Sequence, residues 1–148
     1  MSPRYLIDTN VLLYVHDRNE PVKRARAAEV LRHIRKAGTG ALPAQALAEF
    51  ANASLKKPAV KLTPADIEAR ITFYEASFPI VPLTAAIVVE AVRDVRNHQL
   101  AYYDAQLWAA AKLSQIPVLL SEDFNTGSRI EGVTFLNPFA PHLDVKTL

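Results

Sequence analysis

Four carboxylates stand where chemistry is most readily built. Asp8 lies inside the apolar run YLIDTNVLLYV, Glu49 in PAQALAEF, Asp104 in YYDAQLWAAA and Asp123 in LLSEDFNTG. An unpaired carboxylate among apolar neighbours costs several kcal/mol, so Asp8 needs a compensating partner, either a cation or the backbone N–H groups of a helix start. Asp104 shares a helical stripe with Leu107, Trp108 and Ala111 at i+3, i+4 and i+7, and a first-turn position favours its ionised form through the helix dipole. Glu49 lies about 200° around its helix from Leu47. Its neighbours Gln45, Asn52 and Lys56 make a polar stripe that suits open water or the wall of a cleft equally. Asp123 sits among Ser121, Glu122, Asn125, Thr126 and Gly127, residues that also serve as plain turn formers, and Glu122 competes with it for any chemical role.

Taken together the acids predict a metal. Two like charges about 4 Å apart repel by about 4 kcal/mol at an effective dielectric near 20, so a converging set needs a counter-cation. All-oxygen ligation selects hard ions, magnesium or manganese, over zinc, and such ions support phosphodiester cleavage by activating water and stabilising the leaving oxygen.

The elements that must position these groups can be read from periodicity and punctuation. Residues 4–8 suggest a buried strand ending near Asp8, followed by a turn of helix. Pro21 opens an amphipathic helix over 21–37 that Gly38 stops, with Val22, Ala25, Ala28, Leu31 and Ile34 near one stripe. A short strand over 39–42 precedes a helix that starts at Pro43, carries Leu47, Phe50, Ala51 and Leu55, and ends before Pro58. Thr63 caps a helix running to about Ser77, and Pro79 to Pro82 forms at most a short edge strand. Thr84 caps a further helix with Ile87, Val88, Ala91 and Val95 on one face, ending in the polar loop around Asn97 and His98. A helix over 102–114, a buried strand over 116–120, a loop over 121–128 and a strand over 133–136 complete the chain. Strands separated by helices need crossovers, so the expected fold is α/β: a three-layer sandwich around a mainly parallel sheet of four or five strands, in one domain spanning 1–148. In such sheets ligands bind beyond the carboxyl ends of the strands, where the acids fall.

Composition narrows the function classes. The 148 residues are half hydrophobic and 22% charged, with four glycines, which fits one compact domain. There is no cysteine, so disulfides, zinc thiolates, iron–sulfur clusters and thiol nucleophiles are excluded. Asp8 interrupts the first apolar run, so neither a secretory segment nor a membrane span is expected there, and a cytoplasmic location is. The net charge of +2 does not by itself announce a nucleic-acid binder. The basic residues are clustered, however: Lys23, Arg24, Arg26, Arg32, Arg35 and Lys36 on one helix, Lys56, Lys57 and Lys61 on a second segment, and Arg93 and Arg96 on a third. Glycine-rich phosphate loops, GxSxG and HExxH are absent, and His16, His33, His98 and His142 show no ligand spacing, so each reads as structural or solvated.

LIDTNVLLY, PAQALAEF, YYDAQLWAAA and LLSEDFNTG resemble, in order and spacing, the acidic blocks of the PIN-domain family, and specifically the VapC-type toxins of bacterial toxin–antitoxin pairs. The resemblance runs from about Arg4 to Asn137. It implies a magnesium-dependent endoribonuclease, with manganese a possible substitute, acting on structured RNA such as transfer or ribosomal RNA. By that resemblance Asp8 and Asp104 are the principal metal ligands, Glu49 completes the site directly or through water, and Asp123 is the fourth acid. Asn10 and Ser121 would orient the carboxylates. A homodimer restrained by a small cognate antitoxin is also implied, with the basic clusters as phosphate contacts.

Two other classes place an acid after a first strand. A receiver-like phosphoacceptor module requires adjacent acids there and a late lysine after a strand, yet no lysine follows Leu120 until Lys146. A haloacid-type phosphatase requires a second acid two residues on, where this chain has Asn10. A non-catalytic RNA-binding domain would have no use for four intact acids.

Overall fold

The computed structural model describes residues 2–148. The central strand is β1 (Tyr5–Ile7), all three residues buried, as a parallel strand covered on both faces requires. It pairs in parallel with β2 (Gly40–Pro43) on one side and β4 (Val118–Leu120) on the other. Beyond β2 lies the two-residue β3 (Ile80–Val81), and beyond β4 lies β6 (Val133–Leu136), both parallel to their neighbours. A further strand, β5 (Arg129–Ile130), pairs antiparallel with β6, giving the order β3-β2-β1-β4-β6-β5. The sheet thus has six strands where four or five were expected. The addition is a hairpin whose tight turn at Glu131 and Gly132 uses two positive φ angles, 45° and 88°.

Alternation along each strand splits the core. Tyr5, Ile7, Leu42, Val118 and Leu120 face one side, where they meet α1 (Thr9–Tyr14), α2 (Pro21–Ala37), α3 (Ala44–Lys56) and α4 (Pro64–Ser77). Leu6, Ala41, Leu119, Val133 and Phe135 face the other, against α5 (Ala85–His98) and α6 (Tyr102–Leu113). The expected three-layer α/β/α sandwich results. Helix boundaries follow their signals. Pro21 starts α2 and Gly38, at φ 71°, ends it. Thr63 and Asp66 form a capping box on α4, and Thr84 caps α5. Pro43 closes β2 rather than opening α3, with extended backbone at φ −74° and ψ 144°.

The apolar face of α5 is only partly buried. On α5 the buried line is Ile87, Ala91 and Asp94, while Val88 and Val95 are 36% exposed, Val89 53% and Val92 56%. The packing partner α6 contributes buried alanines to the same cluster as Ile87 and Ala91, while the valine flank of α5 stays on the surface. Among the described residues no helix is long and apolar enough to cross a membrane.

Candidate metal centre

Strand register brings the first two groups together. Ile7 pairs with Leu120 across β1 and β4, so the residues that follow them, Asp8 and Ser121, leave the sheet side by side. The Asp8 N–H donates to the Leu120 carbonyl at 3.0 Å, and the Ser121 hydroxyl donates to Asp8 Oδ2 at 2.6 Å. The other carboxylate oxygen, Oδ1, accepts from the Thr9 N–H at 2.6 Å and caps α1. Asp8 is therefore both a helix cap and a buried acid, 3% exposed. Burial pushes its pKa up to about 6; the bonds from Ser121 and Thr9 oppose the rise, and the charges of Asp123 and Glu49 add to it.

Glu49 does not face open water. It is half-buried on α3, where Oε2 accepts from the Thr9 hydroxyl at 2.9 Å and Oε1 from Gln45 Nε2 at 2.7 Å. Gln45 is itself held by Gln106, whose Nε2 donates to Gln45 Oε1 at 2.7 Å, and Gln106 accepts from the Tyr102 hydroxyl at 2.8 Å. A chain of side-chain hydrogen bonds thus runs from α6 across to α3 and fixes the Glu49 rotamer. Thr9, Gln106 and Tyr102 were not anticipated as positioning residues. Their available signal was the i, i+4 spacing of Gln45 with Glu49 and of Tyr102 with Gln106 inside alanine-rich helices, where polar pairs need a reason.

Asp104 sits half-buried in the first turn of α6. Its pKa is raised, first by burial and then by the charges of Asp123 and Glu49. Desolvation and like-charge repulsion thus outweigh the stabilisation expected from the helix dipole. Asp123 is exposed on the loop after β4; its Oδ2 accepts from Asn10 Nδ2 at 3.3 Å, and its N–H donates to Ser121 Oγ at 3.1 Å. Asn10 Nδ2 also reaches Ser121 Oγ at 3.4 Å. The rival acid, Glu122, turns away: it accepts from the Tyr14 hydroxyl and from Lys23 Nζ, the latter at 2.9 Å.

The four acids therefore share one electrostatic neighbourhood, each of Asp8 and Asp104 feeling both Asp123 and Glu49. Among the described residues, no Lys, Arg or His lies within ion-pair distance of any of the four, although Asp17, Glu90, Glu122 and Glu131 are all paired elsewhere. No three of them place ligand oxygens within 4.8 Å of one another, a separation that their mutual repulsion favours. Asn10 Oδ1 is buried beside them without a hydrogen-bond partner. An all-oxygen set with an orphaned acceptor and no internal counter-charge fits a bound divalent cation.

Solved structures share the fold. The chain matches "Toxin-antitoxin complex from Klebsiella pneumoniae" with a TM-score of 0.63 at 20% identity, covering 91% of this chain and 98% of that one. It matches DNA-bound VapBC from Salmonella typhimurium with a TM-score of 0.64 at 14% identity, covering 90% and 96%. Against Mycobacterium tuberculosis VapC20, described as a sarcin-ricin loop cleaving toxin, the TM-score is 0.61 at 13% identity, covering 80% and 91%. No curated protein matched the sequence. The PIN domain model matches residues 5–129, a span that holds all four acids and strands β1 to β4, and the chain belongs to the PIN domain family.

Proposed function

We propose that the chain is a divalent-metal-dependent endoribonuclease and the toxin of a toxin–antitoxin pair, with magnesium as the working ion and manganese able to replace it. The observation that carries this reading is the convergence of Asp8, Glu49, Asp104 and Asp123 at the carboxyl edge of the sheet without an internal cation. Asp8, Asp104 and Glu49 would hold the ion, with Asp123 as the fourth acid. When bound, a magnesium ion supplies Lewis-acid activation of water and stabilisation of the leaving oxygen in phosphodiester hydrolysis. The chain's own residues do the positioning. Ser121 and Thr9 fix the two oxygens of Asp8, Gln45 and Thr9 fix those of Glu49, and Asn10 ties Asp123 to Ser121.

A structured RNA, transfer or ribosomal, is the proposed substrate class, a reading that the sarcin-ricin specificity of the M. tuberculosis relative supports. The proposed antitoxin suits a groove between α2 and α4 of about 210 Å³. Leu31, Phe73, Tyr74 and Phe78 supply its apolar lining, and Arg32, Arg35 and Arg70 supply positive charge for an acidic tail. The exposed valine flank of α5 suits a homodimer contact.

The test is cleavage of total RNA by purified protein. Activity should require magnesium or manganese and disappear in Asp104→Asn with the fold retained by circular dichroism. Cleavage that survives in excess chelator, or in that variant, would overturn the mechanism.

A further inference from the structure

A second cluster of metal-capable side chains lies apart from the four acids, where α5 and α6 meet the β5–β6 hairpin. Asp94 and His98 stand one turn apart on α5, and Glu131 occupies the β5–β6 turn, ahead of the amino end of β6. Each offers one ligand atom, and the three atoms lie within 4.8 Å of one another. His98 Nε2 is 2.8 Å from Glu131 Oε2 and 3.6 Å from Asp94 Oδ1. Tetrahedral zinc with bonds near 2.0–2.1 Å spaces its ligands about 3.4 Å apart, a value those two distances bracket.

Asp94 supplies the independent observation. Its side chain is 0% exposed, yet neither Oδ1 nor Oδ2 has a hydrogen-bond partner. A fully desolvated carboxylate with both oxygens unsatisfied, aimed at an imidazole nitrogen, is an arrangement that a cation resolves. The surroundings retain negative charge. Glu90, Asp94 and Glu131 face Lys112, which reaches Glu90 Oε1 at 2.6 Å and Glu131 Oε1 at 3.1 Å, and the exposed Arg93, 3.6 Å from Glu90. Lys112 thus occupies Glu131 Oε1 and leaves Oε2 turned toward His98. The hairpin is already oriented toward α6, since Trp108 Nε1 donates to the Ile130 carbonyl at 3.1 Å.

We propose that Asp94, His98 and Glu131 form a second metal site that takes a zinc-class transition ion and pins the β5–β6 hairpin to α5. One nitrogen and two carboxylate oxygens select zinc over magnesium, which accepts imidazole poorly, and the fourth position is left to water. The site is independent of the proposed nuclease centre, and its test removes that centre first.

The experiment titrates zinc chloride into the Asp8→Asn/Asp104→Asn protein, reading melting temperature and calorimetric stoichiometry. Zinc should bind at one equivalent and raise the melting temperature, while magnesium at the same concentration leaves it unshifted. Adding His98→Gln to this background should weaken zinc binding at least about tenfold. Glu131→Gln, at an exposed position, should do the same, with the metal-free melting temperature of each variant close to the parent's. Equal zinc affinity with and without His98→Gln, no zinc binding in the background protein, or an equal shift from magnesium would each overturn the assignment.

Discussion

Replacing Asp8 by asparagine should make the metal-free protein more stable at neutral pH while removing its activity. The folded chain holds the Asp8 proton up to about pH 6, whereas the unfolded chain releases it near 3.8. Folding therefore takes up a proton between those values. As far as Asp8 is concerned, stability is greatest below pH 3.8, falls as pH rises through 6, and is flat above. A rise of about two pKa units corresponds to about 3 kcal/mol, undiscounted because the side chain is 3% exposed. Asparagine removes that penalty but accepts through only one oxygen, so one of the two donors now on Asp8, the Ser121 hydroxyl or the Thr9 N–H, loses its acceptor. That loss costs about 1 kcal/mol, leaving the variant ahead by about 2 kcal/mol at pH 7 and behind by about 1 kcal/mol near pH 3.5. The assay is urea unfolding in excess chelator at half-unit steps from pH 3.5 to 8, comparing midpoints at constant slope. The curves of wild type and variant should cross inside the window. Parallel curves across the whole range would refute the assignment of a buried, proton-holding Asp8. Manganese added at pH 7 should stabilise the wild type more than the variant.

Three further outcomes follow from the same structure. Gln45→Ala, which frees Glu49 Oε1 and leaves the buried Gln106 Nε2 without its acceptor, should lower RNA cleavage by roughly 10- to 100-fold in initial rates at saturating magnesium, while costing only about 1–2 kcal/mol of stability. Gly40→Ala should destabilise by about 1–3 kcal/mol in chemical denaturation, because a Cβ there collides with the Ile34 side chain between sheet and α2. Val92→Asp, on the exposed flank of α5, should convert the proposed dimer to monomer in analytical ultracentrifugation while leaving the circular dichroism spectrum intact.

How much of this was legible in the sequence depended on the distance over which each residue acts. Asp8 declared itself because a charge inside YLIDTNVLLYV violates the apolar pattern locally, and the strand register then carried it to Ser121. The parallel, three-layer sandwich followed from strand and helix alternation alone. Glu49 was ambiguous because angle around α3 says nothing about what stands opposite, and what stands opposite is Thr9, 40 residues away. Glu122 and Asp123 were inseparable for the same reason: only the position of Lys23 and Tyr14 shows which acid is tethered away from the site. The apolar face of α5 was legible from spacing, but which of its residues are covered was not, since burial there depends on α6 and the structure buries Ile87, Ala91 and Asp94. His98 carried a readable clue, a carboxylate one turn before it, but its third partner lies 33 residues on, in a hairpin the strand pattern did not reveal.

The pairing of Ile7 with Leu120 has a consequence for how the centre comes into being. Asp8 and Ser121 directly follow the last pair of the β1–β4 ladder, between the two central strands of the sheet, so their mutual geometry should persist as long as those strands stay paired. Amide exchange at Asp8, bonded to the Leu120 carbonyl, should then track global opening. Asp123 rides a surface loop, and Glu49 hangs at the end of a side-chain relay. Asp8 is thus set once, with the fold, whereas Asp123 on its exposed loop can readjust without disturbing it.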